Sequence, residues 1–158
     1  MAIKEGDKAA LFTLPRDDGG KFSLAEALKD HVVVLFFYPK DFTSICTAEA
    51  CAFRDSHEDF ARAGALVVGV SSDDRSSHED FKSQHGLPYT LLSDEGGKVR
   101  KTYGASSLLG ALPGRVTYVI GRDGFVHFSF SSQTKGREHA KKALETVKRL
   151  LELDSQKG

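Results

Sequence analysis

Neither sign of charge is in surplus in this chain: 22 lysines and arginines stand against 22 aspartates and glutamates in 158 residues. No stretch is strongly one-signed. The charges therefore read as a solvated surface, and neither nucleic acid nor an anionic membrane is an expected partner. Long apolar runs are missing, and the first residues, Met1 to Asp7, hold no signal-peptide core. Cysteine is scarce, with two residues, which argues against a disulfide scaffold and favours catalytic or sensing thiols in a reducing compartment. That compartment is expected to be the cytoplasm, or an organelle if a leader has been removed. The six histidines and two cysteines lack zinc-ligand spacing, so no metal is expected. Gly110-Ala111-Leu112-Pro113-Gly114 has no following lysine or helix signal and does not read as a phosphate loop. With no repeat, low-complexity tract or linker, residues 1–158 are expected to form one domain that buries a core without staples.

What is present alternates between strand and helix signals. Leu11 to Leu14 and Lys21-Phe22 flank Asp17-Asp18-Gly19-Gly20, the pattern of a hairpin. Ser23-Leu24-Ala25-Glu26 has capping-box spacing and predicts a short helix. Val32 to Phe37 is apolar at every position, as in a central strand covered on both faces. An amphipathic segment then runs to Gly64, followed by a second buried strand from Ala65 to Val70. Ser76-Ser77-His78-Glu79 predicts a capped helix ending near Gly86, before Pro88. Thr90 to Leu92 reads as a short strand and Gly97 to Tyr103 as a short helix. Val116 to Ile120 and Phe125 to Phe130 flank Gly121-Arg122-Asp123-Gly124, an antiparallel hairpin signal. In the last helix Ala140, Ala143, Leu144, Val147, Leu150 and Leu151 form one apolar stripe, with Glu138/Lys142 and Glu145/Arg149 as i,i+4 pairs. The order predicts an α/β fold, a central sheet with helices on both sides.

Cys46 and Cys51 carry the chemistry. On a helical projection Ala50, Phe53, His57, Phe60 and Gly64 fall within roughly 40° of Cys46, so that thiol is expected to face the sheet. Cys51 falls with Asp55, Glu58 and Arg62 on the charged face. Five residues of ideal helix separate the two Cα atoms by about 8.6 Å, beyond the roughly 7 Å that a disulfide tolerates. A bond between them requires the first turn to unwind, which argues against a static structural disulfide. Two unrelated core cysteines remain an alternative. If Thr43 or Ser44 caps the helix, Cys46 lies in the first turn, where free N–H groups and the helix dipole favour a thiolate. Cys51 lies deeper and gains little of this. His57, about 16 Å along the helix from Cys46, is too distant to be its base and reads as a satisfied buried histidine. Arg115, on its residue type and place alone, reads as a surface arginine.

Pro39-x-x-x-Thr43-x-x-Cys46 resembles the active-site signature of the peroxiredoxins. The wider run Phe36-Phe37-Tyr38-Pro39-Lys40-Asp41, Cys46-Thr47 and Ala50-Cys51-Ala52-Phe53-Arg54-Asp55 is similar to the bacterioferritin-comigratory-protein or Q-type branch. Gly69-Val70-Ser71-x-Asp73, His78-x-x-Phe81, Leu91-Leu92-Ser93-Asp94 and Arg115-x-Thr117-Tyr118-Val119-Ile120 extend the likeness over nearly the whole chain. The resemblance implies a thioredoxin-like fold, with a central mixed β-sheet flanked by helices and an N-terminal hairpin. It implies thiol-dependent reduction of hydrogen peroxide and organic hydroperoxides in antioxidant defence. Cys46 becomes the peroxidatic and Cys51 the resolving cysteine, joined in an intramolecular disulfide that thioredoxin or a glutaredoxin-like dithiol reduces. Thr43 would hydrogen-bond thiolate and peroxide, Pro39 would shield the pocket, Arg115 would hold both by charge, and Glu49 would orient that arginine. No metal, haem or flavin is needed, because sulfur carries the electrons. The branch implies a monomer or a weak dimer. Ser44-Ile45 departs from the usual Pro-Gly, which is expected to alter loop stiffness and pocket polarity but not chemistry. A protein thiol–disulfide oxidoreductase and a peroxide sensor that passes its oxidation to a partner remain as rivals.

Overall fold

The structure is a computed structural model that describes residues 3–107 and 112–157; Gly110 and Ala111 of the glycine-rich segment lie outside the described residues. An antiparallel hairpin opens the fold, β1 (Thr13–Pro15) against β2 (Lys21–Ser23). It leads into α1 (Leu24–Ala27), whose N-cap Ser23 accepts from the Glu26 amide as the capping-box spacing predicts. Then follow β3 (Val32–Phe37), α2 (Ser44–Asp55), α3 (His57–Arg62), β4 (Ala65–Ser71), α4 (Arg75–His85) and β5 (Thr90–Ser93). A 3-10 turn (Glu95–Gly97) precedes α5 (Lys98–Tyr103), and two short strands, β6 (Ser106–Ser107) and β7 (Leu112–Pro113), pair antiparallel. The chain closes with the hairpin β8 (Val116–Ile120) and β9 (Val126–Ser131), then α6 (Gly136–Lys157).

The main sheet has the order β5-β4-β3-β8-β9, parallel across β3, β4 and β5 and antiparallel at β8 and β9. The uninterrupted apolar run of β3 is explained by its central place. Val34, Phe36 and Tyr38 point to one core with Cys46, Ala50 and Phe53 of α2, Phe60 of α3, Phe81 of α4 and Ala140, Ala143 and Val147 of α6. Val33, Leu35 and Phe37 point to the other, closed by the N-terminal hairpin, α1 and Tyr103 of α5. Phe36 stacks on Phe53 at 4.4 Å and 10°, a contact worth about 1 kcal/mol beyond burial. It ties the middle of α2 to the sheet while the start of α2 sits at the carboxyl end of β3, where open α/β sheets place their sites.

Four expectations need correction. The cysteine segment is not one helix to Gly64. It breaks at Ser56 (φ −99°, ψ 6°), and beyond the break the helical projection holds for buried Phe60 but not for His57, which is half-buried, or Gly64, which is exposed. The fourth helix is capped by Asp74, which accepts from the Ser77 amide, so it starts ahead of the Ser76 box. Leu151 is 44% exposed and leaves the apolar stripe of α6. Lys142 lies 5.0 Å over the Phe130 ring rather than on Glu138. No helix among the described residues is long and apolar enough to cross a membrane.

Candidate active site

The segment between β3 and α2 is shaped by buried polar contacts. Asp41 accepts from Tyr38 Oη at 2.6 Å, from Ser77 Oγ at 2.8 Å and from His78 Nδ1 at 2.8 Å, while its amide donates to Asp73 at 2.8 Å. His78 Nε2 lies 2.9 Å from Leu92 O, which can only accept, so this nitrogen carries a proton. Burial alone would lower the His78 pKa, but the bond to Asp41 and its charge outweigh that and raise it. Asp41, Asp73 and His78 stand close enough to suggest a cation site. Yet Nε2 of His78 is engaged with Leu92 O and Nδ1 with Asp41, so both ring nitrogens are already taken up within the protein. These groups instead clamp the segment. They hold Phe42 at a positive φ of 68° with its ring packed on Phe81 at 5.2 Å, a backbone conformation that costs about 1–3 kcal/mol.

That clamp delivers Cys46 to the third position of α2. Thr43 is the N-cap residue but makes no side-chain cap bond; its hydroxyl donates to Lys40 O at 2.9 Å. A missing cap leaves the first turn about 1 kcal/mol weaker and its amides unclaimed by a side chain. Cys46 is buried, and Arg115 Nη2 donates to its Sγ at 3.2 Å. The guanidinium, just ahead of β8, is fixed by two further bonds: Nη1 to Glu49 Oε1 at 2.7 Å and Nε to Gln133 O at 3.1 Å. It is 4% exposed, so little water screens its charge. Glu49, one turn after Cys46, is fully buried. Burial pushes its carboxyl up to about 8 even though Arg115 pulls the other way. A cavity of about 520 Å³ opens beside this turn, between Ser44, Ile45 and Ala48 and the Thr134–Glu138 entry to α6.

Of the site residues read from the sequence, the fold brings Cys46, Glu49 and Arg115 together, with Arg115 inside the protein rather than on its surface. Pro39 is half-buried at the exit of β3 and Thr43 is exposed at the helix start. Cys51 is half-buried, both thiols are free, and one unbroken helix carries them, so the ideal-helix separation of about 8.6 Å applies. Sequence reasoning missed His139. Its only signal was its place four residues before Ala143 on the apolar face of α6. The ring is buried, with Nε2 2.9 Å from Ser132 O, Nδ1 2.8 Å from Thr117 Oγ1 and 3.5 Å from Glu49 Oε2.

A sequence model of the AhpC/TSA family matches residues 5–129. The chain is 50% identical over 149 residues to the chloroplastic peroxiredoxin Q of Suaeda salsa, covering 94% of this chain and 69% of that one. It is 48% identical over 147 residues to the chloroplastic peroxiredoxin Q of Arabidopsis thaliana, covering 92% and 68%. Among solved structures, peroxidoxin BcpB from Mycobacterium tuberculosis superposes with a TM-score of 0.87 at 40% identity, over 94% of this chain and 98% of that one. Xanthomonas campestris peroxiredoxin Q gives a TM-score of 0.81 at 28% identity, over 89% and 91%. With a free thiol held at a helix start by a buried arginine, this chain belongs to the AhpC/TSA family, in the Q-type branch of the peroxiredoxins, and is a thiol-dependent peroxidase.

Proposed function

We propose that Cys46 is the sulfur that reduces the peroxide and Cys51 the one that resolves it. The observation that carries this reading is the 3.2 Å bond from Arg115 to Cys46 Sγ at the start of α2. The thiolate attacks one oxygen of the hydroperoxide. An S–O bond forms, the O–O bond breaks, and the electron pair leaves on the second oxygen, which takes a proton and departs as water or an alcohol. Arg115 stabilises charge on sulfur and on the departing oxygen. Thr43 Oγ1 donates its hydrogen bond to Lys40 O, so its lone pairs are free to accept from the peroxide O–H. Pro39 closes the pocket edge.

The Cys51 thiol then displaces water from the sulfenic acid, giving the Cys46–Cys51 disulfide. The separation of about 8.6 Å requires the start of α2 to unwind first. A dithiol of the thioredoxin or glutaredoxin type returns both thiols by exchange. Substrates are hydrogen peroxide and organic hydroperoxides, and the chain works as a monomer or weak dimer in a reducing compartment, the cytoplasm or an organelle.

The test is NADPH consumption with thioredoxin, its reductase and several hydroperoxides, alongside single-turnover oxidation of two variants. Cys46→Ser abolishes the reaction. Cys51→Ser gives one fast oxidation and then stalls or overoxidises. Equal loss of that first oxidation in both variants would contradict the assigned roles.

A further inference from the structure

Glu49 Oε2 is a buried oxygen with no hydrogen-bond partner among the described residues. Its neighbour at 3.5 Å is His139 Nδ1. Ser132 O, 2.9 Å from His139 Nε2, can only accept, so the ring proton sits on Nε2. Burial, with the charge of Arg115 adding to it, holds the ring neutral by lowering its pKa to about 4. Nδ1 therefore carries a lone pair, which accepts from Thr117 Oγ1 at 2.8 Å. An ionised Glu49 would set a buried negative oxygen against that lone pair, with no group among the described residues donating to it. A protonated Glu49 has no such conflict.

The other groups around Glu49 point the same way. Arg115 at the start of β8 bonds both Glu49 Oε1 and Cys46 Sγ, so the two acids compete for one guanidinium. Tyr89, ahead of β5, is neutral, with its hydroxyl donating to Ala50 O at 2.7 Å and burial raising its pKa well above 10. Two anions around one cation would leave a net buried charge, whereas one anion leaves a neutral pair.

We propose that His139 is a positioning residue for the Cys46 reaction: its Nδ1 lone pair, shared between Thr117 and Glu49, disfavours an ionised Glu49 and keeps that carboxyl protonated, so that Arg115 is left to the Cys46 thiolate. The inference rests on the reading of Cys46 as the reacting sulfur. The elevation of Glu49 to about 8 agrees with it. Thr117, by donating to the same nitrogen, competes with the Glu49 proton and moderates the effect.

The experiment follows two readouts through a pH titration of the reduced protein: the infrared C=O band of a protonated carboxyl, and the rate constant for oxidation by hydrogen peroxide. In the wild type the band is present at pH 7 and disappears with a midpoint near 8, and the rate constant falls in parallel. Glu49→Gln loses the band and the alkaline fall; survival of the band there overturns its assignment. Thr117→Val leaves Nδ1 to Glu49 alone and moves the midpoint up. His139→Gln offers an N–H donor to Oε2 and makes Glu49 at least about tenfold more acidic, which slows oxidation at pH 7 by about twofold or more. Opposite displacements cannot come from generic damage, and if His139→Gln does not fold, the Thr117→Val displacement decides. A wild type without the band at pH 7, or a midpoint that does not move up in Thr117→Val, overturns the inference. Undiminished peroxide reactivity in Cys46→Ser would sink the underlying reading instead, a distinguishable result.

Discussion

Replacing Gly136 by alanine measures how tightly the cysteine helix is held. Gly136 opens α6 directly against the first turn of α2, where an added Cβ would lie 2.9 Å from Ile45 O and 3.2 Å from both the Cβ and the N of Glu49. Two of these three are backbone atoms, so no rotamer change removes the clash. The methyl has to displace Ile45 to Glu49 by a few tenths of an ångström. Overpacking of this kind costs about 1–3 kcal/mol, and the better helix propensity of alanine offsets up to about 1 kcal/mol. From the middle of these ranges, a net penalty of about 1–2 kcal/mol then falls on the wound form of α2. The unwound form, in which Ile45 and Glu49 have moved away, escapes it. The balance shifts toward unwinding by about 5- to 30-fold. Amide exchange over Ile45 to Phe53 in the reduced protein should accelerate by that factor. At high peroxide the yield of disulfide should rise against that of sulfinic acid. The first oxidation should slow, because Glu49 and with it Arg115 are displaced. Unchanged protection in that segment would refute the reasoning, and so would a loss of protection spread evenly over the sheet, which would mean global rather than local weakening.

Two further outcomes are expected. Arg115→Lys cannot reproduce three donors in a fixed fork, so the rate of Cys46 oxidation should fall by about 10²-fold or more; a change under threefold in stopped-flow oxidation would contradict the role given to the guanidinium. The two buried histidines give opposite pH slopes of stability. His78 is raised from 6.5, so its contribution is full below that value and is lost as pH rises through the folded value. His139 is lowered to about 4, so folding loses stability as pH falls from 6.5 toward 4. Urea denaturation across pH should show the alkaline loss flattened in His78→Gln and the acid loss flattened in His139→Gln; slopes equal to those of the wild type would refute the assignment.

How far the chain could be read in advance depends on the range of the interactions involved. Val32 to Phe37 is apolar throughout because it is central, and that pattern is local. The inward set of Cys46, Ala50 and Phe53 follows from helical spacing alone, and the structure keeps it. The same projection failed at His57, because a break at Ser56 is a backbone event that side-chain periodicity does not encode. The helix start at Asp74 was missed because Ser76 offered an equally good local cap. Leu151 satisfied the periodic pattern of α6, yet it stays 44% exposed toward the end of that helix.

The site divides along the same line. Residue type and spacing by themselves determined that one thiol opens a helix behind a central strand, that the second lies on another face, and that the two cannot bond while the helix stands. They could not decide which distant groups tune the first thiol. Arg115 is 69 residues from Cys46 and 66 from Glu49, and it arrives because β8 pairs antiparallel with β3 in a register that sets Val116 opposite Phe37. His139 reaches Glu49 because α6 packs on α2 where Gly136 has no side chain. Helix and strand patterns arise from forces between near neighbours and can be read from order alone. The charge and proton balance of a buried site arises from groups that meet only when the sheet and its covering helix close, and that was left to the tertiary structure.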